Sequence, residues 1–159
     1  MADLIWRGLI IGIGATIVFD LWNLLLNRLF GIPLPNWALV GRWFRHLFRG
    51  RFLHEDIGRA EPVAHELGWG WAFHYAVGAS FGLATVALGG PGWTSSPTLF
   101  PAMAIGIGTV LLGWFILAPG MGAGIAARLR PNAARIRGLN LLAHTVFGLA
   151  MYALARLIS

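Results

Sequence analysis

Four stretches of this chain, about residues 4–26, 67–88, 98–118 and 139–157, stay apolar for roughly the 20 residues a helix needs to cross a hydrocarbon layer about 30 Å thick. Nothing else in the sequence constrains the fold as strongly. Water does not suit such segments, and in lipid every backbone N–H and C=O must be satisfied within the segment, which a helix does. The expected fold is therefore all-α: an integral membrane four-helix bundle forming a single domain over residues 1–159. Composition agrees, with 57% hydrophobic and 11% charged residues and a mean hydropathy of +0.70. The stretch after Met1-Ala2-Asp3 lacks a small-x-small cleavage pattern and reads as a retained first helix. With no Cys in the chain, disulfides, thiolate metal sites and thiol nucleophiles are excluded.

All twelve basic residues are Arg. Arg28, Arg42, Arg45, Arg49, Arg51 and Arg59 lie between the first and second stretches, and Arg128, Arg130, Arg135 and Arg137 between the third and fourth. The connection between the second and third has none. The positive-inside rule then puts loops one and three in the cytoplasm and both termini outside. Arg so distributed suits anionic lipid headgroups rather than nucleic acid.

Loop one, residues 27–66, is too long to be only a connector. Over about residues 36–49, Trp37, Val40, Trp43, Phe44, Leu47 and Phe48 share one helical face, and Arg42, Arg45, His46 and Arg49 the other. This pattern predicts an amphipathic helix on the membrane surface, with Arg42, Arg45, Arg49 and Trp43 at the lipid. Packing on the bundle end is the alternative, and both can hold together.

An ionisable residue within a membrane helix costs about 2.5–3.5 kcal/mol on insertion scales and is a functional hypothesis by default. Asp20, His74 and His144 are three such residues. At 1.5 Å rise per residue, each falls roughly 10 Å below the cytoplasmic boundary, so three helices contribute to one polar layer. Small and polar residues share one face of each helix: Gly8, Gly12, Thr16, Asp20, Asn23 and Asn27 on the first, His74, Gly78, Gly82 and Thr85 on the second, and Asn140, His144, Gly148 and Tyr152 on the fourth, with Tyr75 as further polar lining. His74 and His144 are candidate ligands for haem or a transition metal, with Gly78 and Gly148 one turn on leaving space for a flat ring and Asp20 as acid-base partner. Interhelical hydrogen bonding with no further role is the plainer reading of each histidine. In loop one, His46, His54, Glu55 and Asp56 form a weaker candidate metal cluster, for which a solvated face is the commoner explanation.

Ile10-Ile11-Gly12-Ile13-Gly14 is matched by Ala104-Ile105-Gly106-Ile107-Gly108, and His74-Tyr75-Ala76-Val77-Gly78 by His144-Thr145-Val146-Phe147-Gly148. The matches occur in the same order. Either two helix pairs arose by duplication, related by a pseudo-two-fold axis along the membrane normal, or Gly and Ile simply recur in membrane helices. Gly78-Ala79-Ser80-Phe81-Gly82 spells a nucleophile-elbow pattern without its strand-turn-helix context, and Gly120, Gly122 and Gly124 lack a following P-loop Lys. Neither specifies a reaction.

Gly12 to Thr16 with Asp20-Leu21-Trp22, Val40-Gly41-Arg42-Trp43, His46 to Phe52, His74-Tyr75, Pro119 to Gly124 and His144 to Gly148 resemble a bacterial family of uncharacterised inner-membrane proteins with about four spans. The resemblance covers nearly the whole chain and implies a bacterial inner membrane, with no activity attached. Three functions remain open: binding of haem, a metal ion or a small substrate at the Asp/His layer; an accessory subunit packed on other membrane subunits; or a small self-associating transporter with a proton or metal relay.

Overall fold

The computed structural model describes all 159 residues and contains helices and turns without strands. Four helices are long and apolar enough to cross a membrane: α1 (Ala2–Phe30), α3 (Glu66–Gly89), α4 (Leu99–Gly120) and α5 (Ala133–Leu157). A shorter helix, α2 (Trp37–Leu47), lies in loop one. Between 22% and 33% of the most apolar stretch of each span is buried within the protein. The outward faces carry Ile13, Ile17, Leu21, Phe100, Phe115 and Leu149, which need lipid rather than water.

The helices outrun the apolar stretches. α1 continues to Phe30, where Gly31 adopts a left-handed φ of 64° and donates its N–H to the Asn27 carbonyl. α5 begins at Ala133, so Arg135 and Arg137 lie on a helix and not in a loop. Hydropathy marks where hydrocarbon ends, whereas a helix of Ala, Arg and Leu continues until a Gly or Pro stops it. α4 widens into a π-helical turn over Gly113–Leu117, which the apolar pattern gave no sign of.

The chain forms two compact units. The first comprises Met1–Leu34, Tyr75–Thr109 and Leu141–Ser159, so all four spans contribute to it. Its core gathers Ile11, Ala15, Val86, Ala102, Phe147 and Met151. Glycines set its crossings. A Cβ on Gly12 would lie 2.9 Å from Ala79 Cα and 3.0 Å from Gly82 N, and one on Gly106 would lie 2.8 Å from Gly148 N. Small residues thus bring α1 onto α3 and α4 onto α5, backbone on backbone. Gly12 meets Gly78 at the first crossing, and Gly106 and Gly148, their respective matches in the sequence, meet at the second.

The second unit comprises Pro35–His74 and Val110–Asn140. Asn36 caps α2, its Oδ1 accepting the Leu39 N–H at 3.2 Å. α2 then docks on the start of α3, where a Cβ on Gly41 would lie 2.5 Å from Gly70 N. Phe44 and Phe73 complete the contact at 4.7 Å between ring centroids. After α4, residues 120–127 turn sharply, with Gly122, Gly124, Ala126 and Ala127 all at positive φ. A Cβ on Gly122 would meet the Glu55 carbonyl, so this glycine-rich segment is the bed on which loop one lies.

Candidate functional site

Inside the first unit, the Asp20 carboxylate on α1 accepts a hydrogen bond from the Tyr75 hydroxyl on α3 at 3.1 Å. Phe19, next to Asp20, meets the His144 ring edge-on at 6.1 Å, which brings α5 to the same level of α1. The His144 tautomer follows from its partners. Thr109 gives its hydroxyl hydrogen to the Gly106 carbonyl at 2.9 Å, so its oxygen can only accept from His144 Nδ1 at 3.2 Å. The same Nδ1–H donates to the Gly106 carbonyl at 3.0 Å, leaving Nε2 as the accepting nitrogen of the ring.

His74 belongs to the second unit, stacked on Trp37 at 3.9 Å between centroids and edge-on to Trp71 at 5.8 Å. Asn23 donates to the Phe19 carbonyl of its own helix, and Asn27 to the Ile32 carbonyl beyond the end of α1. Both amides therefore serve local backbone. Asn140 lies half-buried on α5.

Gly78 and Gly148 do not leave room for a ligand ring. A Cβ on Gly78 would run into the Thr16 hydroxyl, and one on Gly148 would lie 3.1 Å from both the Ala102 carbonyl and Met103 Sδ. The expectation failed because a missing side chain in a helix is filled by a neighbouring helix wherever close packing is the only attraction available in lipid.

The second unit holds the denser polar network. Arg42 is 8% exposed and uses its whole guanidinium: Nε and Nη2 grip Glu66 at 2.9 and 3.0 Å, while Nη1 donates to the Ile57, Gly58 and Ala60 carbonyls at 3.1, 3.2 and 3.0 Å. Trp43, 3% exposed, donates its indole N–H to the Phe52 carbonyl at 2.9 Å. Neither residue faces lipid, against the amphipathic reading. The carbonyls of a returning loop are a better environment for a five-donor cation than the bilayer edge. Arg45 lies 4.6 Å over the Trp69 ring, and Arg49 reaches the exposed Glu61 at 3.6 Å.

His46 is fully buried, its Nδ1 2.8 Å from His54 Nε2 and its Nε2 3.1 Å from the Glu61 carbonyl. His54 Nδ1 faces the Gly120 carbonyl at 2.9 Å. Of the four loop-one residues expected as a metal cluster, the structure joins these two alone. Two ring nitrogens 2.8 Å apart leave no room for an ion between them, and nowhere do three or more His, Asp or Glu side chains converge on a common point. Glu55 and Asp56 instead border an open cleft of about 470 Å³ beside His54, with Arg51 and Arg59.

Burial, and next the charge of His54, lower the His46 pKa below its ordinary value, against the opposing Glu61 carbonyl. As pH falls through about 6.5, the unfolded chain binds a proton that folded His46 refuses, so this contribution to stability is present above that pH and lost below it. The melting temperature in detergent is expected to drop between about pH 6.5 and 5, and His46→Gln to flatten that acid limb.

A family model described as "Protein of unknown function (DUF2938)" matches residues 9–158. The chain belongs to the DUF2938 family. No curated protein and no solved structure is similar enough to match it. In this DUF2938 chain the sequence points to Asp20, His144, His46 and His54, whereas the parts that Glu66 and Gly120 play in completing the loop-one network come only from the fold. Only its distance from Arg42 distinguishes Glu66 from the other acids of loop one.

Proposed function

We propose that this chain is a multi-pass protein of the bacterial inner membrane, with both termini outside and loops one and three cytoplasmic, that takes up and releases a proton at Asp20 within the bundle. One observation carries the reading: a carboxylate in a membrane-spanning helix, engaged by a tyrosine hydroxyl from the facing helix at 3.1 Å. An ionised carboxylate is costly there, and a proton is the smallest species that neutralises it. Tyr75 orients the acceptor oxygen, and the Arg-rich loops supply the sidedness.

The test is proton flux into proteoliposomes under a valinomycin-set potassium potential. The intact chain is expected to acidify the lumen, and Asp20→Asn, which still accepts from Tyr75, to cut the rate at least about tenfold through loss of its proton site. Wild-type vesicles no faster than empty ones overturn the proposal. If that inactive protein also copurifies stoichiometrically with a larger membrane complex, an accessory-subunit role replaces it.

A second reading rests on His144, whose Nδ1–H to carbonyl bond is the arrangement that orients Nε2 toward a metal ion. A metals analysis of the purified chain tests it. Bound metal lost in His144→Ala supports ligation, and a metal-free protein rejects it.

A further inference from the structure

The hydrogen count of the His46–His54 pair does not close when both rings are neutral. His46 Nε2 faces the Glu61 carbonyl and His54 Nδ1 faces the Gly120 carbonyl, and a carbonyl oxygen only accepts, so both outer nitrogens carry hydrogen. A neutral imidazole has one N–H. Two neutral rings would therefore oppose bare lone pairs across 2.8 Å, and two cationic rings would oppose two N–H groups. One added proton completes all three hydrogen bonds. We propose that His46 and His54 hold this single proton between them as an imidazole–imidazolium pair, and that the pair is a proton-dependent latch fixing loop one to the end of α4.

The latch works with backbone bonds beside it: His54 N–H to the Gly120 carbonyl at 3.1 Å and Ile57 N–H to the Met121 carbonyl at 3.3 Å. Removing the proton sets lone pair against lone pair, and adding a second sets donor against donor. Either change loosens residues 54–57 from residues 120–121. Charges around the pair act in both directions. Arg49 and Arg51, following α2, oppose the positive charge, as does Arg59 in the cleft. Glu66 at the start of α3, itself held by Arg42, favours it, as do Glu61, paired with Arg49, and Glu55 and Asp56 along the cleft. The end of α4 contributes only backbone. Burial, the largest cause of the lowered His46 pKa, disfavours charge on that ring, and the charge of His54 adds to it, so a second proton on the pair is opposed twice over. The cleft beside His54 gives the shared proton a route to water. None of this depends on the reading of Asp20.

The experiment uses the full chain in detergent with histidine-selective ¹⁵N labelling. At about pH 7.5, where an isolated imidazole is neutral, two rings are expected to be joined by a ¹⁵N–¹⁵N coupling across a hydrogen bond and to carry three N–H protons between them. The coupling identifies the pair without any variant. Two rings with one N–H each, titrating independently, overturn the shared proton. Hydrogen exchange of residues 51–60, corrected for intrinsic rates, reads the latch: protection is expected to peak near neutral pH and fall at least about threefold on both sides, with both limbs flattened in His54→Gln. Protection that does not vary with pH in the wild type overturns the latch.

Discussion

Gly82→Leu is expected to prevent the bundle of the first unit from forming. A Cβ at Gly82 would lie 2.6 Å from Gly12 Cα and run into the Gly8 carbonyl oxygen and Gly12 N, all backbone atoms of α1 that cannot rotate away. Inserting atoms into a packed interior costs about 1–3 kcal/mol when side chains can adjust, and more when a helix backbone has to move. Separating α1 from α3 would also uncover Thr16, which is 1% exposed where it nests on Gly78. Thermal melts in detergent should show a loss of more than about 3 kcal/mol, or no folded protein at all. Gly108→Ala is the control. A Cβ there meets nothing within 4 Å, and the change should be neutral or stabilise the helix by about 0.5–1 kcal/mol. Similar losses from both substitutions would show that the glycines matter for something other than the crossing.

Arg42→Ala is expected to release loop one. The substitution leaves the Glu66 carboxylate without its ion-pair partner and takes the guanidinium donor from the Ile57, Gly58 and Ala60 carbonyls, of which Ile57 keeps only the Ala60 N–H at 3.3 Å. Breaking a buried ion pair from one side costs about 3–5 kcal/mol, because the remaining charge stays desolvated. Glu66 is partly accessible, with 22% of its side chain exposed, which argues for the lower end of that range. Arg42→Lys should rescue little, since an ammonium has three donors and cannot reproduce the planar fork on Glu66 together with three carbonyls. Limited trypsin digestion is the measurement. Cleavage after the exposed Arg51 and Arg59 should quicken at least about tenfold in Arg42→Ala, with the four spans still folded. Unchanged cleavage would mean the loop is held by the His46–His54 contacts and the glycine bed alone.

The two predictions fall where sequence reasoning was strongest and weakest. The stripe Gly8, Gly12, Thr16 on α1 and Gly78, Gly82 on α3 was legible as small residues in helical register, and such stripes mean close approach in lipid. Their use was misjudged at Gly78 and Gly148, read as space for a ligand and found filled by Thr16, Ala102 and Met103. Loop one went the same way. Its helix was predicted at 36–49 and runs Trp37–Leu47, yet Arg42, Trp43 and His46 point into protein. An amphipathic pattern reports which side chains share a face, and it assigns charged faces to water because it cannot see a partner that lies 24 residues away, as Glu66 does from Arg42.

Length and hydropathy therefore determined that this chain has four membrane-crossing helices, because burying backbone polar groups in lipid leaves a long apolar segment no other choice. The polar residues inside those segments were equally visible, since each is an exception to the same rule. Only the tertiary structure decided what they do: Asp20 takes a Tyr75 hydroxyl, His144 is fixed as its Nδ1–H tautomer by Gly106 and Thr109, and His46 meets His54 between two carbonyls. Hydrogen bonds depend on tenths of an ångström and on direction, and neither is carried by the spacing of residues along a chain.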